Sequence, residues 1–208
     1  KKTTISLRLS FTLHAEVPRL LNMIGNLFIR TIALNVALYL ATSYATDYGK
    51  EYIAAYTISI NIWLLGAFMI DGYSSAGNIL SGKLLGAKEY KSLVILSNKL
   101  FKYGIVIGTI IAVLGAVFYN AIGRIFTNET LVLEQFYTVF WIVLITQPIN
   151  AITFIFDGMF KGMGEMKYLR NLLILATGFV FVPTLLIFDY LNYKLIAIWI
   201  AFACWIIA

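Results

Sequence analysis

The sequence predicts an all-α fold, a polytopic transmembrane helical bundle with six spans. Hydrophobic residues make up 61% of the chain and charged residues 12%, whereas soluble domains are about half apolar and a quarter charged. A water-soluble fold of 208 residues could not bury so much apolar surface in one core, so we expect lipid to surround it. The apolar runs are long and continuous, which favours helices over the roughly ten-residue alternating strands of membrane barrels.

Six apolar runs appear when charged and turn-forming residues are taken as boundaries. The predicted spans cover about residues 23–45, 52–85, 103–122, 131–160, 172–188 and 195–208. The first contains Arg30, and the second, which contains Asp71, is longer than the roughly 20 residues that a bilayer needs, so it should tilt, bend or protrude. Pro148 should kink the fourth. The sixth is short, and we expect both ends of the sequence to be cut from a longer chain.

Residues 1–22 are predicted to be a cytoplasmic linker, and residues 23–208 form the bundle. Leu7 to Leu21 mixes apolar and charged residues, which indicates an amphipathic surface helix interrupted near Pro18. With the predicted spans, thirteen Lys and Arg residues fall on one side of the membrane and three on the other. Basic residues concentrate on the cytoplasmic side, so we expect both chain ends there.

The composition argues against several functions. The formal net charge of +6 comes from short basic clusters between apolar runs, which is typical of membrane-protein loops rather than of a nucleic-acid interface. Cys204 is the only cysteine, so we predict neither a disulfide framework nor a cysteine metal site. The sequence has no Gly-rich phosphate loop, no paired His-Glu metal motif and no serine nucleophile elbow. We therefore expect no enzyme, no cofactor and no metal site.

Three ionisable residues lie inside predicted spans: Arg30, Asp71 and Asp157. A charge at mid-membrane costs roughly 2.5–3.5 kcal/mol on insertion scales, so such residues are usually functional. All three should lie in the same half of the membrane, where Arg30 could face both acids and leave one of them able to bind and release a proton. The alternative is a static ion network that holds three helices in register. Both aspartates occur in an F-x-x-D-G pattern, a weak repeat of the kind found in secondary transporters.

Four uncharged polar residues lie well inside the spans and are candidates for lining a substrate cleft: Asn35, Asn61, Gln147 and Asn150. Hydrogen bonds between helices, each worth well under 2 kcal/mol, would explain the same residues without a cleft. The sequence alone leaves both interpretations open.

Several motifs resemble the MATE (multidrug and toxic compound extrusion) family in its DinF-like branch. They are Arg30-Thr31-Ile32-Ala33-Leu34, Ile53-Ala54-Ala55-Tyr56-Thr57, Ile70-Asp71-Gly72-Tyr73, Ser81-Gly82-Lys83-Leu84-Leu85-Gly86-Ala87 and Phe156-Asp157-Gly158-Met159-Phe160-Lys161-Gly162. The resemblance covers about residues 20 to 205. It implies twelve helices in two lobes, of which this chain is the carboxy-terminal six-helix lobe.

The resemblance also implies secondary active efflux of organic cations or drug-like amphiphiles, exchanged for H⁺ or Na⁺ by alternating access. The implied partners are a small-molecule substrate, membrane lipid and the missing amino-terminal lobe, and the implied location is a bacterial plasma (inner) membrane. Sodium-using relatives carry an acid where this chain has Asn150, whereas Asp157 matches the DinF-like pattern. The rival functions are a flippase for lipid-linked oligosaccharides, which should have a more cationic cleft, and a non-transporting membrane scaffold.

Overall fold

The computed structural model describes residues 17–208, apart from the side chain of Arg19, and this part of the chain is helical. The helices are α1 (Val17–Asp47), α2 (Lys50–Gly86), α3 (Tyr90–Val117), α4 (Tyr119–Phe126), α5 (Thr130–Met163), α6 (Met166–Ala176), α7 (Val182–Tyr190) and α8 (Leu195–Ile207). A π-helical turn, Thr177–Phe181, joins α6 to α7. Within residues 17–208 there is no β-strand, and the predicted all-α fold is confirmed.

Five segments are long and apolar enough to cross a membrane: α1, α2, α3, α5 and the run from α6 through the π turn to α7. Helix α8 is apolar as well, but it has only 13 residues. These six segments follow the order of the six predicted spans. We call the end of the bundle that holds Lys83, Lys161 and Lys167 the basic end.

The third segment differs from its predicted bounds of 103–122. Helix α3 already begins at Tyr90, because Leu93, Leu96 and Leu100 turn inward and pack against α5. Lys91, Lys99 and Lys102 in the same stretch are exposed, so they lie on the outer face of this helix instead of ending it. The chain then bends at Phe118, and α4 follows as a separate short helix.

Helix α1 also begins before its predicted start at residue 23. Over the described residues it is continuous from Val17, through Pro18, to Asp47. Residues 1–16 of the predicted linker, which hold most of the predicted amphipathic helix, lie outside the described residues, so the interruption near Pro18 stays a prediction.

Helices α2 and α5 form the central pair of the bundle. Their backbones come close because glycine and serine line the contact: a Cβ added to Gly82 would lie 2.6 Å from the carbonyl oxygen of Gly162. The Ser74 hydroxyl donates to the carbonyl of Phe154 at 2.6 Å, between the same two helices. Small residues give membrane helices this close approach.

The remaining helices surround that pair. Helix α3 packs across α2 and α5, α1 packs mainly against α6, and α8 lies against α5 and α7. At the end opposite the basic end, the Tyr48 hydroxyl donates to Asp189 at 2.5 Å and the Lys194 ammonium donates to the Tyr52 hydroxyl at 3.1 Å. These four residues, which we call the tyrosine clasp, tie the α1–α2 hairpin to the α7–α8 hairpin.

Candidate functional site

An ion-paired cluster links α1 to α5 towards the basic end. The Arg30 guanidinium donates to Asp157 Oδ1 at 2.5 Å, and the Lys161 ammonium lies 2.5 Å from Asp157 Oδ2. The side chains are mostly shielded, with exposed fractions of 17% for Arg30, 13% for Asp157 and 29% for Lys161. One carboxylate therefore lies between two cations and uses one oxygen for each.

Asp71 does not join this cluster. Its side chain is exposed on α2, and no lysine or arginine whose side chain the structure describes lies within ion-pair distance of it. Buried positions of α2 such as Ile70, Ser74 and Gly77 mark the side that faces α5 and α3; Asp71 lies off that side. The sequence suggested one cation facing two acids, whereas the structure brings together two cations and one acid.

Lys161 is the member that the sequence analysis left out of the cluster. It follows Asp157 by four residues, the spacing that places two side chains on one helical face, so the signal was present. The contribution of Arg30 from α1 depends on tertiary packing. A second link nearby could not be read from the sequence either: Arg170 on α6 donates to the Asn26 side-chain oxygen on α1 at 2.6 Å.

Asn35 and Asn61 lie on open surfaces. Both side chains are exposed, and each amide nitrogen donates to a carbonyl one turn earlier in its own helix, at 2.8 Å for Asn35 and 2.7 Å for Asn61. Asn35 belongs to a shallow groove whose lining residues all come from α1: Phe28, Thr31, Ile32, Asn35, Val36 and Tyr39. Within residues 17–208 no other helix contributes to this groove, so it is a feature of the α1 surface alone.

Gln147 and Asn150 lie inside the lobe instead. Their exposed fractions are 1% and 0%, because the face of α5 that carries them packs against neighbouring helices; the Gln147 side chain touches α2 at Gly66. Among the described residues, Gln147 Oε1 and both polar atoms of the Asn150 side chain have no hydrogen-bond partner. The structure therefore separates the four predicted cleft residues into an exposed pair, Asn35 and Asn61, and a buried pair.

In this cluster one carboxylate is shared by two cations. Two of its side chains belong to α5 and one belongs to α1, so opening the Arg30–Asp157 pair would remove a link between these two helices. Within residues 17–208 no group of three or more His, Cys, Asp or Glu side chains lies together.

Comparisons with known proteins agree with this architecture. The MatE family model matches residues 27–187. Protein DETOXIFICATION 42 of Arabidopsis thaliana is 26% identical over 79% of this chain and 32% of its own length. Protein DETOXIFICATION 44, chloroplastic, of the same plant is 28% identical over 75% of this chain and 30% of its own length. The chain thus spans about a third of the curated relatives that it matches.

Solved structures show the same fold. A crystal structure of MATE in the bent conformation superposes with a TM-score of 0.84 at 18% identity, over 94% of this chain and 44% of that one. The outward-facing conformation of a multidrug resistance MATE family transporter gives 0.82 at 12% identity, over 91% and 42%. Because the family model covers most of its residues, the chain belongs to the MatE family, whose members are transporters rather than enzymes.

Proposed function

We propose that this chain is the carboxy-terminal lobe of a secondary active transporter that exports organic cations or drug-like amphiphiles in exchange for H⁺ or Na⁺. Membership of the MatE family and the likeness to less than half of each solved transporter support the lobe assignment. The observation that carries the coupling is the Asp157 carboxylate, which lies between Arg30 on α1 and Lys161 on its own helix.

The coupling follows from a competition for Asp157. Protonation removes the charge that holds Arg30, so proton binding and the Arg30–Asp157 ion pair oppose each other. A ligand shifts a conformational equilibrium only by its differential affinity for the two states. The proposal therefore requires two conformations that differ in proton affinity, one with the Arg30–Asp157 ion pair closed and one with it open.

The substrate would lie on the exposed faces of α1 and α2. The α1 groove combines the aromatic rings of Phe28 and Tyr39 with the Asn35 amide, and Asn61 is exposed on α2. An apolar surface with a few orienting polar groups suits an amphiphilic ligand. The amino-terminal lobe would supply the opposite wall of the cleft, while Gln147 and Asn150 would lie inside the carboxy-terminal lobe. The DinF-like branch, a bacterial plasma membrane and cytoplasmic chain ends remain predictions.

Replacing Asp157 tests the coupling. In the full-length transporter, Asp157→Asn should abolish the pH dependence of ethidium efflux and slow efflux strongly, because the neutral amide cannot exchange a proton. Asp47→Asn is the matched control, since Asp47 is exposed at the end of α1, away from the cluster. Wild-type efflux with unchanged pH dependence in Asp157→Asn would remove Asp157 from the coupling role. Absent efflux for both the wild type and the control, with accumulation of lipid-linked precursors on deletion, would favour a flippase.

A further inference from the structure

An unpaired basic corner lies where α2 ends and α3 begins. Residues 83–102 contain five lysines and a single acid, Glu89. The lysines are Lys83, Lys88, Lys91, Lys99 and Lys102, and all five are exposed. Among the side chains that the structure describes, which do not include Arg19, the ion pairs involve Arg30 and Lys161 only, so no described carboxylate pairs with a lysine of this corner.

Packing determines which side of α3 faces outward. Leu100, Gly104 and Gly108 are buried, and a Cβ on Gly108 would lie 2.7 Å from the carbonyl oxygen of Gln147 on α5. The opposite side therefore points away from the bundle. At 100° per residue, Lys91, Lys99 and Lys102 lie within about 80° of one another on that outer side.

The outer face changes character along its length. Between the lysines lie Val94 and Ile95, with exposed fractions of 59% and 57%, and Tyr90 and Tyr103 flank the basic stretch at 59% and 57%. From Tyr103 to Val117 the helix carries no charged residue. That part exposes Ile105, Val106, Ile110, Val113, Leu114 and Val117.

The mixture of basic and aliphatic side chains on this face suits neither bulk water nor the hydrocarbon core of a bilayer. Water would leave Val94 and Ile95 exposed beside the lysines, and hydrocarbon would not accept the ammonium groups. A membrane interface accepts both, because aromatic rings and long basic side chains prefer the headgroup level while aliphatic side chains prefer the acyl chains. We expect the interface to supply negative charge as well, since Glu89 is the only acid within residues 83–102.

We propose that this corner binds anionic phospholipid headgroups, with Lys91, Lys99 and Lys102 facing the phosphates and the apolar outer face of α3 lying along the acyl chains. Two observations favour anionic phospholipid as the ligand. Its charge complements that of the lysines, and one continuous helix face changes from basic to apolar residues. Clusters of four to eight basic residues beside a membrane helix recognise anionic lipid by the same electrostatics. The contact would hold α3 at a set depth while the rest of the lobe moves.

Spin-labelled lipids test the proposal in the full-length transporter reconstituted in phosphatidylcholine. The association constant of spin-labelled phosphatidylglycerol relative to spin-labelled phosphatidylcholine is read from the motionally restricted fraction. The triple variant Lys91→Gln, Lys99→Gln, Lys102→Gln should lower this ratio roughly fivefold or more, the equivalent of about one lost lysine contact. Raising the salt concentration should lower the wild-type ratio towards that of the variant.

A variant of equal charge provides the control. Lys50→Gln, Arg124→Gln, Lys167→Gln removes three exposed basic residues from other parts of the surface and should keep the wild-type ratio, as should Lys91→Arg, Lys99→Arg, Lys102→Arg. An unchanged ratio in the lysine-to-glutamine variant of the corner would overturn the proposal. An equal fall in both glutamine variants would also overturn it, because net charge alone would then explain the selectivity. Unfolding temperatures in neutral detergent confirm that each variant is folded.

Discussion

At the scale of single residues, glycine decides how closely α2 and α5 approach. A Cβ on Gly162 would overlap the carbonyl oxygen of Asn78 and meet the Ser81 hydroxyl at 2.5 Å. The Ser81 hydroxyl also donates to the carbonyl of Met159 across the same contact at 3.1 Å. Because the atoms opposite Gly162 include helix backbone, a methyl group there has no flexible neighbour to displace.

We therefore expect Gly162→Ala to separate α2 from α5 and to lower the free energy of unfolding by about 1–3 kcal/mol. The measurement is thermal unfolding of the full-length transporter in detergent. Gly25→Ala is the matched control, since a Cβ at Gly25 meets nothing within 4 Å and alanine is the better helix former. If both variants melted at the same temperature, the close α2–α5 contact would be wrong.

The two aspartates of the repeated pattern lie in different surroundings, which the sequence alone does not predict. The Asp157–Lys161 spacing is visible in the sequence, but Asp71 and Asp157 share the same F-x-x-D-G pattern and still have opposite surroundings. Asp157 faces α1 and Arg30, whereas Asp71 is exposed on α2. A local motif predicts which residues share one face of a helix. Which side chains contact that face depends on how the neighbouring helices pack.

At the scale of elements, the tyrosine clasp joins two hairpins at the end of the bundle opposite the basic end, and Tyr48 itself lies between two membrane-spanning segments. Tyr48 lies in the turn between α1 and α2, and its hydroxyl donates to Asp189 at the end of α7. Partial burial, and then the hydrogen bond and negative charge of Asp189, raise the pKa of Tyr48 above its ordinary value. The folded protein therefore holds this phenolic proton more tightly than the unfolded chain does.

This difference predicts a pH-dependent effect of Tyr48→Phe. The stabilisation from the raised pKa is complete below the unfolded pKa of about 10 and is lost as the pH rises above it. At pH 8 the variant should lose about 1 kcal/mol through the missing hydrogen bond, and the gap between wild-type and variant melting temperatures should narrow above pH 10. Tyr190→Phe, at a side chain that is 86% exposed, should match the wild type throughout. A gap that stays constant up to pH 11 would contradict the assigned cause.

At the scale of the whole molecule, the lobe separates an open face from a closed interior. Asn35 and Asn61 are exposed, whereas Gln147 and Asn150 are buried. The sequence grouped all four by predicted depth and polarity. Gln147 lies on a face of α5 that packs against α2 at Gly66, whereas Asn35 and Asn61 lie at exposed positions of α1 and α2.

Thiol labelling distinguishes the two pairs in the full-length transporter. In a background without native cysteines, which includes Cys204→Ser, Asn61→Cys should react readily with a water-soluble maleimide in the conformation that opens the proposed substrate cleft. Gln147→Cys, whose parent side chain is 1% exposed, should stay unreactive unless the protein is denatured. Equal labelling rates for the two cysteines in the native protein would refute the division into open face and interior.

Apolar content and the lengths of the apolar runs were enough to predict a lipid environment, an all-helical fold and the order of the six apolar segments, because these local properties match the thickness and polarity of a bilayer. Tertiary structure decided which polar residues meet: Arg30 reaches Asp157, Asp71 stays apart, and Gln147 and Asn150 turn inward. The length of a helix can be predicted from the sequence, but its rotation about its own axis cannot. The rotations are set by tertiary packing, here by the close contact between α2 and α5 and by the packing of α1 against α6.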